Sequence, residues 1–295
     1  MHLVVNPTAG RGRGLAHLDA VVAALRAGGR DVTVLRSESA GHARSLVEAV
    51  PAGGTVVAMG GDGTVHELLP ACLARDLTLG VVPCGSGDDV AFAVGIPRHD
   101  PLAAVATVLA GRERRVDVGL VDGHPYVNTF GSGFDADVAR RVIAAPLYVR
   151  GLGRYLYGIL SAMRDFSLAE VRVELEDASG RRIAFEGPAL MVSVQNGPRA
   201  GGSFLLAPGA SPDDGDLDVI VAGAFGRLGT LGILPKLMRG AHLGSPKVHR
   251  FAARSLTLTW SRPMPVQMEG EIQPPRDRFE VALRPRALRL LAPAA

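Results

Sequence analysis

Three glycine-rich segments, each directly after a short apolar segment, constrain the fold of this chain more than any other feature. The apolar segments, 3–5, 55–59 and 77–83, are aliphatic and rich in valine, which is typical of buried strands. Stretches with helical spacing of apolar residues follow them. Strands that alternate with helices predict a parallel, doubly wound α/β sheet. Because ligands bind at the carboxyl ends of such strands, we expect the three glycine-rich segments to converge on one site.

The glycine-rich segments, 6–14, 60–64 and 84–89, have the composition of an anion-binding site. Glycine between a strand and a helix is expected to take positive φ and to let the backbone approach a ligand. The start of the following helix favours an anion such as phosphate. Asp62 would be costly to bury there unless it binds metal, accepts backbone N–H groups or moves protons. A purely structural turn is the alternative for this segment.

Composition narrows the class of protein. The chain has 295 residues, of which 47% are hydrophobic and 21% charged, so it is expected to be globular. We expect no membrane-spanning helix, no signal peptide and therefore a cytoplasmic location. Cys72 and Cys84 are the only cysteines, too few for a disulfide framework. The net charge of +3 comes from dispersed arginines without a recognisable module, so no nucleic-acid partner is expected.

The pattern changes after residue 118. Alternating apolar and polar residues at 171–176 and 255–260 predict half-solvated antiparallel strands, and 189–194 is more continuously apolar. We therefore expect an α/β domain over 1–118 and a β-rich second domain over 119–284.

Seven ordered motifs resemble the diacylglycerol kinase catalytic family, and more narrowly its bacterial lipid-kinase branch, which is related to the sphingosine kinases. Three of them are Asn6-Pro7 with Gly10, Gly60-Gly61-Asp62-Gly63-Thr64, and Pro83-Cys84-Gly85-Ser86-Gly87-Asp88-Asp89. The other four are Gly133-Phe134-Asp135-Ala136, Gly201-Gly202 with Ala207-Pro208, Asp213-Asp214-Gly215, and Glu269-Gly270-Glu271. The second motif by itself also occurs in NAD kinases.

This resemblance implies both a fold and an activity. The fold would be α/β plus β: an N-terminal doubly wound α/β domain of the NAD kinase and diacylglycerol kinase type, and a C-terminal β-sandwich. Residues 285–295 would return to the first domain. The activity would be ATP-dependent phosphorylation, with Mg²⁺, of a hydroxyl of diacylglycerol or a related membrane lipid. Two alternatives stay open: a kinase for a soluble substrate such as NAD, and a nucleotide- or lipid-binding regulator with impaired catalysis.

The resemblance also implies a nucleotide cradle. Its residues would be Asn6, Pro7, Gly10, Arg11, Ser39, Gly60, Gly61, Asp62, Gly63, Thr64, Glu67, Ser86 and Asp89. Asp62, Asp89 and Asp117 would organise the catalytic Mg²⁺ and water. Other roles are open, since Glu67 suits a helix surface, Asp89 could cap a helix at Val90, and Asp117 could begin a strand.

Glu271 occupies the position of the proton acceptor in the similar kinases, with Glu269 beside it. Two carboxylates two residues apart on a strand are expected to point the same way, and their repulsion would raise the proton affinity of one. Solvated acids in a turn are the alternative. Two residues depart from the family pattern: Asp88 stands where asparagine is usual, and Glu269 where aspartate is usual.

The loop 211–216 resembles the family's structural Mg²⁺ site. Its ligands would be the Asp214 carboxylate and the carbonyls of Ser211 and Asp216, and oxygen ligands suit this cation. A plain β-turn is the alternative, because Asp-Gly is a turn signal by itself.

Two segments, 146–160 and 226–249, combine apolar and basic residues. Each suits either a helix packed against the sheets or a membrane contact. The candidate basic residues are Arg150 and Arg154 in the first segment and Lys236, Arg239, Lys247 and His249 in the second. We expect transient peripheral contact with the inner face of the membrane. The oligomeric state is not predicted.

Overall fold

The computed structural model describes residues 1–39, 41–146, 148–149 and 152–293, without the side chains of Arg11 and Leu152. The chain divides into two compact units, Met1–Val118 with Arg284–Ala295, and Gly119–Leu283. The expected α/β plus β fold is confirmed, and each unit has its own apolar core. Within the described residues, no helix is both long enough and apolar enough to cross a membrane.

The N-terminal unit is a parallel sheet flanked by helices. Its strands are β1 (His2–Val5), β2 (Thr33–Arg36), β3 (Thr55–Gly60) and β4 (Thr78–Pro83). Its helices are α1 (Arg13–Ala27), α2 (His42–Glu48), α3 (Asp62–Ala74), α4 (Asp89–Ala93) and α5 (Pro101–Ala110). The strand order is β2-β1-β3-β4, and every pair is parallel. This is the doubly wound arrangement that the alternation of strands and helices predicted.

The C-terminal unit is antiparallel. Its elements begin with β5 (Glu113–Val121), which enters from the first unit, β6 (His124–Tyr126), β7 (Thr129–Gly133), α6 (Phe134–Ile143) and α7 (Leu152–Ala162). They continue with β8 (Ala169–Glu176), β9 (Arg182–Ala189), β10 (Met191–Gln195), β11 (Leu217–Ala222), α8 (Arg227–Met238), β12 (Val248–Ala253), β13 (Ser255–Met268) and β14 (Glu271–Leu291). Two short 3-10 turns, Ala9–Arg11 and Ala241–Gly244, lie in the first and second unit respectively.

The long strand β13 joins the layers of the C-terminal unit. Its first half pairs with β8 and its second half with β7, while β14 pairs along both halves across register shifts. Phe130, Trp260 and Phe279 belong to the core of the unit. The indole N–H of Trp260 donates to the Ser132 hydroxyl at 3.0 Å, so this buried ring has a partner for its polar atom. The result is a β-sandwich.

The last strand of the chain, β14, ends in the sheet of the N-terminal unit. There Arg289 and Leu290 pair in parallel with Thr78 and Leu79 of β4. The Arg289 guanidinium also donates hydrogen bonds to both carboxylate oxygens of Glu113, at 3.0 and 2.8 Å. The end of the chain is therefore part of the first unit's sheet.

Candidate functional site

The three glycine-rich loops converge in the N-terminal unit. Val5 of β1 pairs with Met59 of β3, which in turn pairs with Val82 of β4, so the carboxyl ends of the three strands are level. Backbone hydrogen bonding continues past the strands, because the Cys84 N–H donates to the Gly60 carbonyl at 2.8 Å. The loops after these strands therefore start side by side.

Asn6 shapes the first loop and ties it to the second. Its Oδ1 accepts hydrogen bonds from the backbone N–H and the hydroxyl of Thr8, at 3.0 and 2.8 Å. Its Nδ2 donates to the Thr64 hydroxyl at 3.2 Å. Pro7 lies within this turn, next to the 3-10 turn that contains Gly10. Both ends of the Asn6 amide therefore bind protein groups.

The glycines of the second loop have a different role from the predicted one. Gly61 has φ −102° and ψ −169°, which is extended backbone, and neither Gly60 nor Gly63 has positive φ. A Cβ on Gly61 would lie 3.0 Å from the Gly85 Cα, and one on Gly60 would lie 2.2 Å from the Thr64 hydroxyl oxygen. The expectation of positive φ is wrong here. Gly61 lets the second loop pack against the third, and Gly60 leaves room for Thr64.

Asp62 connects the second loop to the third. Its Oδ1 accepts the Val90 N–H at 3.0 Å, in the first turn of α4. Burial raises the pKa of Asp62, and backbone hydrogen bonds, first that of Val90, oppose the rise. The suggestion that Asp89 caps a helix at Val90 is wrong, because Asp62 accepts this N–H and α4 begins at Asp89 itself.

Asp88, one of the two departures from the family pattern, lies beside Asp62. It has φ 52° and ψ 46°, a left-handed conformation that aspartate and asparagine tolerate better than most residues. Its Oδ1 accepts the Gly85 N–H at 2.9 Å. Burial, followed by the charge of Asp62, raises the pKa of Asp88 to about 7. Burial and the nearby Asp62 carboxylate therefore disfavour a negative charge on Asp88.

Two arginines that the sequence did not single out brace the third loop. Arg13 donates to the carbonyl of Gly10 at 3.2 Å and to that of Gly85. Arg98 donates to the Gly87 carbonyl at 3.2 Å, and its guanidinium lies over the ring of Phe92. The sequence pointed to Arg13 only through its position in the first glycine-rich segment, and it did not point to Arg98. Neither position indicates which carbonyl the side chain contacts.

Two cradle candidates lie around the start of α2. Glu67 of α3 accepts the Ala43 N–H at 2.8 Å and so satisfies a backbone group in the first turn of α2. Ser39 is exposed and precedes α2, which begins at His42. Glu67 therefore ties two helices together, which is a structural role that leaves a nucleotide contact a prediction.

The third loop carries two further candidates. Ser86 is exposed there, whereas Asp89 is buried at the start of α4. The exposed hydroxyl of Ser86 is accessible to a ligand, and the predicted roles of both residues stay predictions. The side chain of Arg11 lies outside the described residues.

Asp117 is fully buried in the N-terminal unit. It lies in the middle of β5, so the suggestion that it begins a strand is wrong. Its Oδ1 accepts the Arg286 N–H at 2.6 Å, and Arg286 has φ 50°. The carboxylate therefore helps to hold the left-handed backbone conformation of Arg286 within the returning strand β14. The predicted role of Asp117 toward Mg²⁺ stays a prediction.

Glu269 and Glu271 do not point the same way, although their spacing predicted that they would. Glu269 and Gly270 have φ 53° and 81° and form the two-residue turn of the hairpin β13–β14, in which Met268 pairs with Glu271. The Glu269 side chain is buried, whereas Glu271 is exposed at the start of β14. The expectation is wrong because the motif lies on a turn and not within one strand.

The buried carboxylate of Glu269 fastens this hairpin to the segment between β6 and β7. Its Oε1 accepts the N–H groups of Val127 and Asn128, at 2.6 and 2.7 Å. One carboxylate oxygen therefore satisfies two buried backbone donors that precede β7.

Gln267 holds the same turn from the other side. Its Oε1 accepts the Gly270 N–H at 2.9 Å, and its Nε2 lies 3.4 Å from Asp135 Oδ2. Asp135 belongs to the Gly-Phe-Asp-Ala motif, and burial raises its pKa to about 6. The turn that presents Glu271 is therefore fixed from two directions.

The loop 211–216 has the hydrogen bonds of a self-contained turn. The Asp214 N–H donates to the Ser211 carbonyl at 3.3 Å, and Asp214 Oδ1 accepts the Asp216 N–H at 3.1 Å. Burial, followed by the charges of Asp218 and Asp216, raises the pKa of Asp214. No cluster of three or more His, Cys, Asp or Glu arranged for a metal ion occurs in the described part of the chain. The structural Mg²⁺ site stays a prediction.

A cavity of about 690 Å³ lies in the C-terminal unit. Apolar side chains line it together with four acids, Asp122, Glu174, Glu176 and Glu280. Each of these acids has an arginine partner. The residues that line this cavity include none of the predicted site residues, so it is separate from the candidate site.

A parallel sheet with three loops at its carboxyl edge, together with a β-sandwich, is the architecture of the diacylglycerol kinase class, and comparison with known proteins agrees. The model of the diacylglycerol kinase catalytic domain matches residues 1–121, and that of the YegS C-terminal NAD kinase beta sandwich-like domain matches residues 128–292. The chain belongs to this lipid kinase family.

Individual relatives cover nearly the whole chain. A "Probable lipid kinase YegS-like" of Pseudomonas aeruginosa is 34% identical over 97% of this chain and 92% of its own length. A "Diacylglycerol kinase" of Bacillus subtilis is 28% identical over 91% of this chain and 88% of its own length. The crystal structure of a diacylglycerol kinase from Bacillus anthracis superposes with a TM-score of 0.73, at 20% identity, over 99% of this chain and 96% of that one. The similarity to this crystal structure supports the fold alone.

Proposed function

We propose that this protein transfers the γ-phosphoryl group of ATP to a hydroxyl of diacylglycerol or a related membrane lipid. The observation that carries the proposal is that the three loops start level with one another and that the Asp62 carboxylate accepts the Val90 N–H at the start of α4. Membership of the lipid kinase family and the names of its relatives support the lipid as acceptor.

The N-terminal unit has the parts that suit the phosphates of a nucleotide. The first and second loops are joined through Asn6 and Thr64, and the third is braced by Arg13. The exposed Ser86 lies on this third loop. Glycine-rich loops after parallel strands suit a triphosphate, because phosphate oxygens accept hydrogen bonds from backbone amides.

The acidic residues fit a cation that arrives with the nucleotide. After burial, the charge of Asp62 is the next cause of the raised pKa of Asp88, and a divalent cation would relieve this repulsion. Carboxylates commonly hold Mg²⁺ in ones or twos together with substrate phosphates, so a preformed cage is not needed. The cation would neutralise charge that develops on the phosphates.

In the C-terminal unit, Glu271 is the group we assign as general base toward the lipid hydroxyl. It is exposed and therefore accessible to substrate, and its backbone belongs to a turn that Glu269 and Gln267 fix. The role of Glu269 is then to position Glu271 rather than to exchange protons with the substrate.

The substrate would be reached by peripheral contact with the inner side of a membrane, where ATP is present. Diacylglycerol has two acyl chains and only a hydroxyl as its headgroup, so it stays in the bilayer. The kinase would therefore meet its acceptor at the membrane surface.

Turnover of ATP by the purified chain with Mg²⁺ tests the proposal. Mixed micelles containing diacylglycerol are the first acceptor, NAD is the second, and micelles without an acceptor lipid are the control. We expect phosphorylated lipid in the first reaction only. Turnover with NAD would favour a soluble-substrate kinase, and nucleotide binding without turnover on any acceptor would favour a regulator.

A further inference from the structure

The helices of the C-terminal unit carry most of the exposed apolar side chains. Ten large apolar residues are exposed in the described part of the chain, and seven of them lie in or beside α6, α7 and α8. These seven are Ile143, Tyr148, Leu156, Tyr157, Leu160, Leu228 and Met238. Exposed apolar residues that occur singly need no explanation, but this concentration indicates a contact surface.

The helix α7 has two apolar faces. Ile159 is buried in a cluster with Val138 of α6. Leu156 and Leu160, one helical turn apart, are instead 49% and 59% exposed. The second apolar face of α7 is therefore turned to solvent.

The helix α8 packs on the same cluster through Leu231 and Leu234. Its opposite face carries Leu228, which is 85% exposed, followed by the exposed Lys236 and Arg239. The spacing of the last three residues, i, i+8 and i+11, places them along one side of the helix. The outward face of α8 is thus apolar at its start and basic at its end.

Charge along these segments has one sign. Residues 138–164 contain five arginines and no acid, and residues 219–268 contain seven lysines and arginines and no acid. Asp137 and Asp165, just outside the first range, pair with Arg140 and Arg141, and Asp218, just before the second range, pairs with Arg250. The excess of positive charge therefore lies with the remaining cations. Lys236 and Arg239 are the exposed cations on the outward face of α8.

Of the two arginines named from the first segment, only Arg154 lies within the described residues. The Arg154 guanidinium donates to the carbonyls of Val142 and Ile143 at the end of α6, and its membrane contact stays a prediction. Arg150 and Leu147 lie outside the described residues. Arg154 instead joins α7 to α6 and so supports the pair of helices.

We propose that the outward faces of α7 and α8 form a docking surface for an anionic lipid bilayer. We define this docking surface by Leu156, Tyr157, Leu160, Leu228, Lys236 and Arg239. Leucine and tyrosine side chains enter the boundary between headgroups and acyl chains, and cations remain at the headgroups. An acid-free surface complements the negative potential of anionic lipid. That this bilayer holds the substrate rests on the proposed function, but the docking does not.

Vesicle co-sedimentation of the full chain tests the electrostatic part. The probes are vesicles of phosphatidylcholine alone and of phosphatidylcholine with phosphatidylglycerol, each at low and high salt. The variant Lys236→Glu/Arg239→Glu is compared with Arg182→Glu/Arg278→Glu, which makes the same charge change at exposed positions on β9 and β14. Each surface cation contributes roughly fivefold to partitioning on anionic lipid. We expect binding to the anionic vesicles to fall at least about tenfold in the first variant and much less in the second.

A second pair of variants tests the apolar part. Leu228→Ser removes the most exposed apolar side chain of the docking surface, and Leu102→Ser is its control at an exposed position on α5. We expect Leu228→Ser to weaken binding to anionic vesicles at both salt concentrations and Leu102→Ser to leave it unchanged. Circular dichroism and thermal unfolding verify that each variant is folded.

Three outcomes would overturn the proposal. The first is no binding of the parent chain to anionic vesicles, and the second is equal loss in the variants and their controls. The third is self-association of the parent, measured by light scattering without lipid, that Leu228→Ser abolishes, because the surface would then join copies of this chain. Turnover of a short-chain diacylglycerol in solution separates the two proposals: docking variants should retain it, and its absence in the parent would contradict the proposed function alone.

Discussion

At the scale of single residues, substitution can separate the structural role of Asp62 from the chemical role that we propose for it. In Asp62→Asn the side-chain oxygen still accepts the Val90 N–H, but the charge is lost. We expect loss of turnover with little change in the free energy of unfolding. Asp62→Ala should lose turnover and also destabilise the protein by about 0.5–2 kcal/mol, the usual effect of removing a helix cap. Urea unfolding and ATP turnover of both variants provide the measurement, and full activity of folded Asp62→Asn would contradict the assignment.

The raised pKa of Asp88 predicts how the free energy of unfolding depends on pH. Its pKa is raised from 3.8 to about 7 in the folded protein, so between these values the folded chain holds a proton that the unfolded chain has released. The Asp88 carboxyl therefore increases the free energy of unfolding fully at pH values below 3.8, and this stabilisation is lost as the pH rises to about 7. Asp88→Asn keeps an acceptor for the Gly85 N–H and removes the charge.

We expect Asp88→Asn to be more stable than the parent above this pH window and to differ least below it. Urea unfolding without added Mg²⁺, at one pH on each side of the window, provides the measurement. A gain of the same size at both pH values would show that the negative charge of Asp88 is not its cause.

Most of the candidate site residues could be selected from the sequence, but few of their contacts could. Asp62 was selected because a carboxylate among glycines suggests a function, whereas its bond to Val90 spans 28 positions and needs the level ends of β3 and β4. The role of Arg13 could not be recognised from the sequence, because its partner on the third loop, Gly85, lies 72 positions away. Long-range geometry, not residue type, decides these contacts.

At the scale of elements, substitutions in the hairpin β13–β14 can separate the proposed positioning role of Glu269 from the proposed chemical role of Glu271. In Glu269→Ala the amides of Val127 and Asn128 lose their acceptor, which costs about 1–3 kcal/mol for each donor that stays buried. Glu269→Gln keeps the accepting oxygen. We therefore expect a clear loss of stability and turnover in Glu269→Ala, and retention of most of both in Glu269→Gln.

Glu271→Gln is the matched variant, because Glu271 is exposed on the same hairpin. It should lose turnover without a change in the free energy of unfolding. Unfolding curves and rates for the three variants, measured with saturating lipid, provide the comparison. If Glu269→Gln were as inactive as Glu271→Gln while remaining stable, Glu269 would have a chemical role and not a positioning one.

The elements themselves were well predicted where periodicity is strong. The alternation at 171–176 belongs to β8, and the apolar run at 189–194 contains most of β10, which is wholly buried. The turn at 269–270 was only the alternative in the sequence analysis, because glutamate with positive φ is uncommon. The buried Glu269 carboxylate, which accepts backbone N–H groups, helps to hold that conformation. The glycines of the second loop were predicted to let the backbone approach a ligand, whereas the structure shows Gly61 close to the backbone of Gly85.

At the scale of the whole molecule, the order of motifs was enough to predict an α/β unit, a sandwich and a final segment that returns to the first unit. The alternation of strands and helices indicated the first unit, and the resemblance to known kinases supplied the sandwich and the return. Composition alone would not have predicted that the end of the chain returns to the first unit, because 287–291 is a short, largely apolar segment that suits either unit.

The returning segment leads to the last prediction, which concerns how the N-terminal unit is completed. Leu290 lies near the end of the chain, yet it is fully buried and pairs with Leu79 of β4. Leu290→Ala should therefore destabilise the protein by about 2–5 kcal/mol, as for other buried leucines. Leu102→Ala, at a half-exposed position on α5, should change the free energy of unfolding by no more than about 0.5 kcal/mol.

Hydrogen exchange shows where that loss occurs. Because Leu290 packs in the first unit, Leu290→Ala should increase exchange of the amides of β3 and β4 while those of β10 stay protected. Equal loss of protection in β4 and β10 would instead mean that the two units unfold as one. Unchanged protection in β4 would mean that the sheet of the first unit is stable without its last strand, and the segment from Arg284 would then contribute little to the unit that holds Asp62.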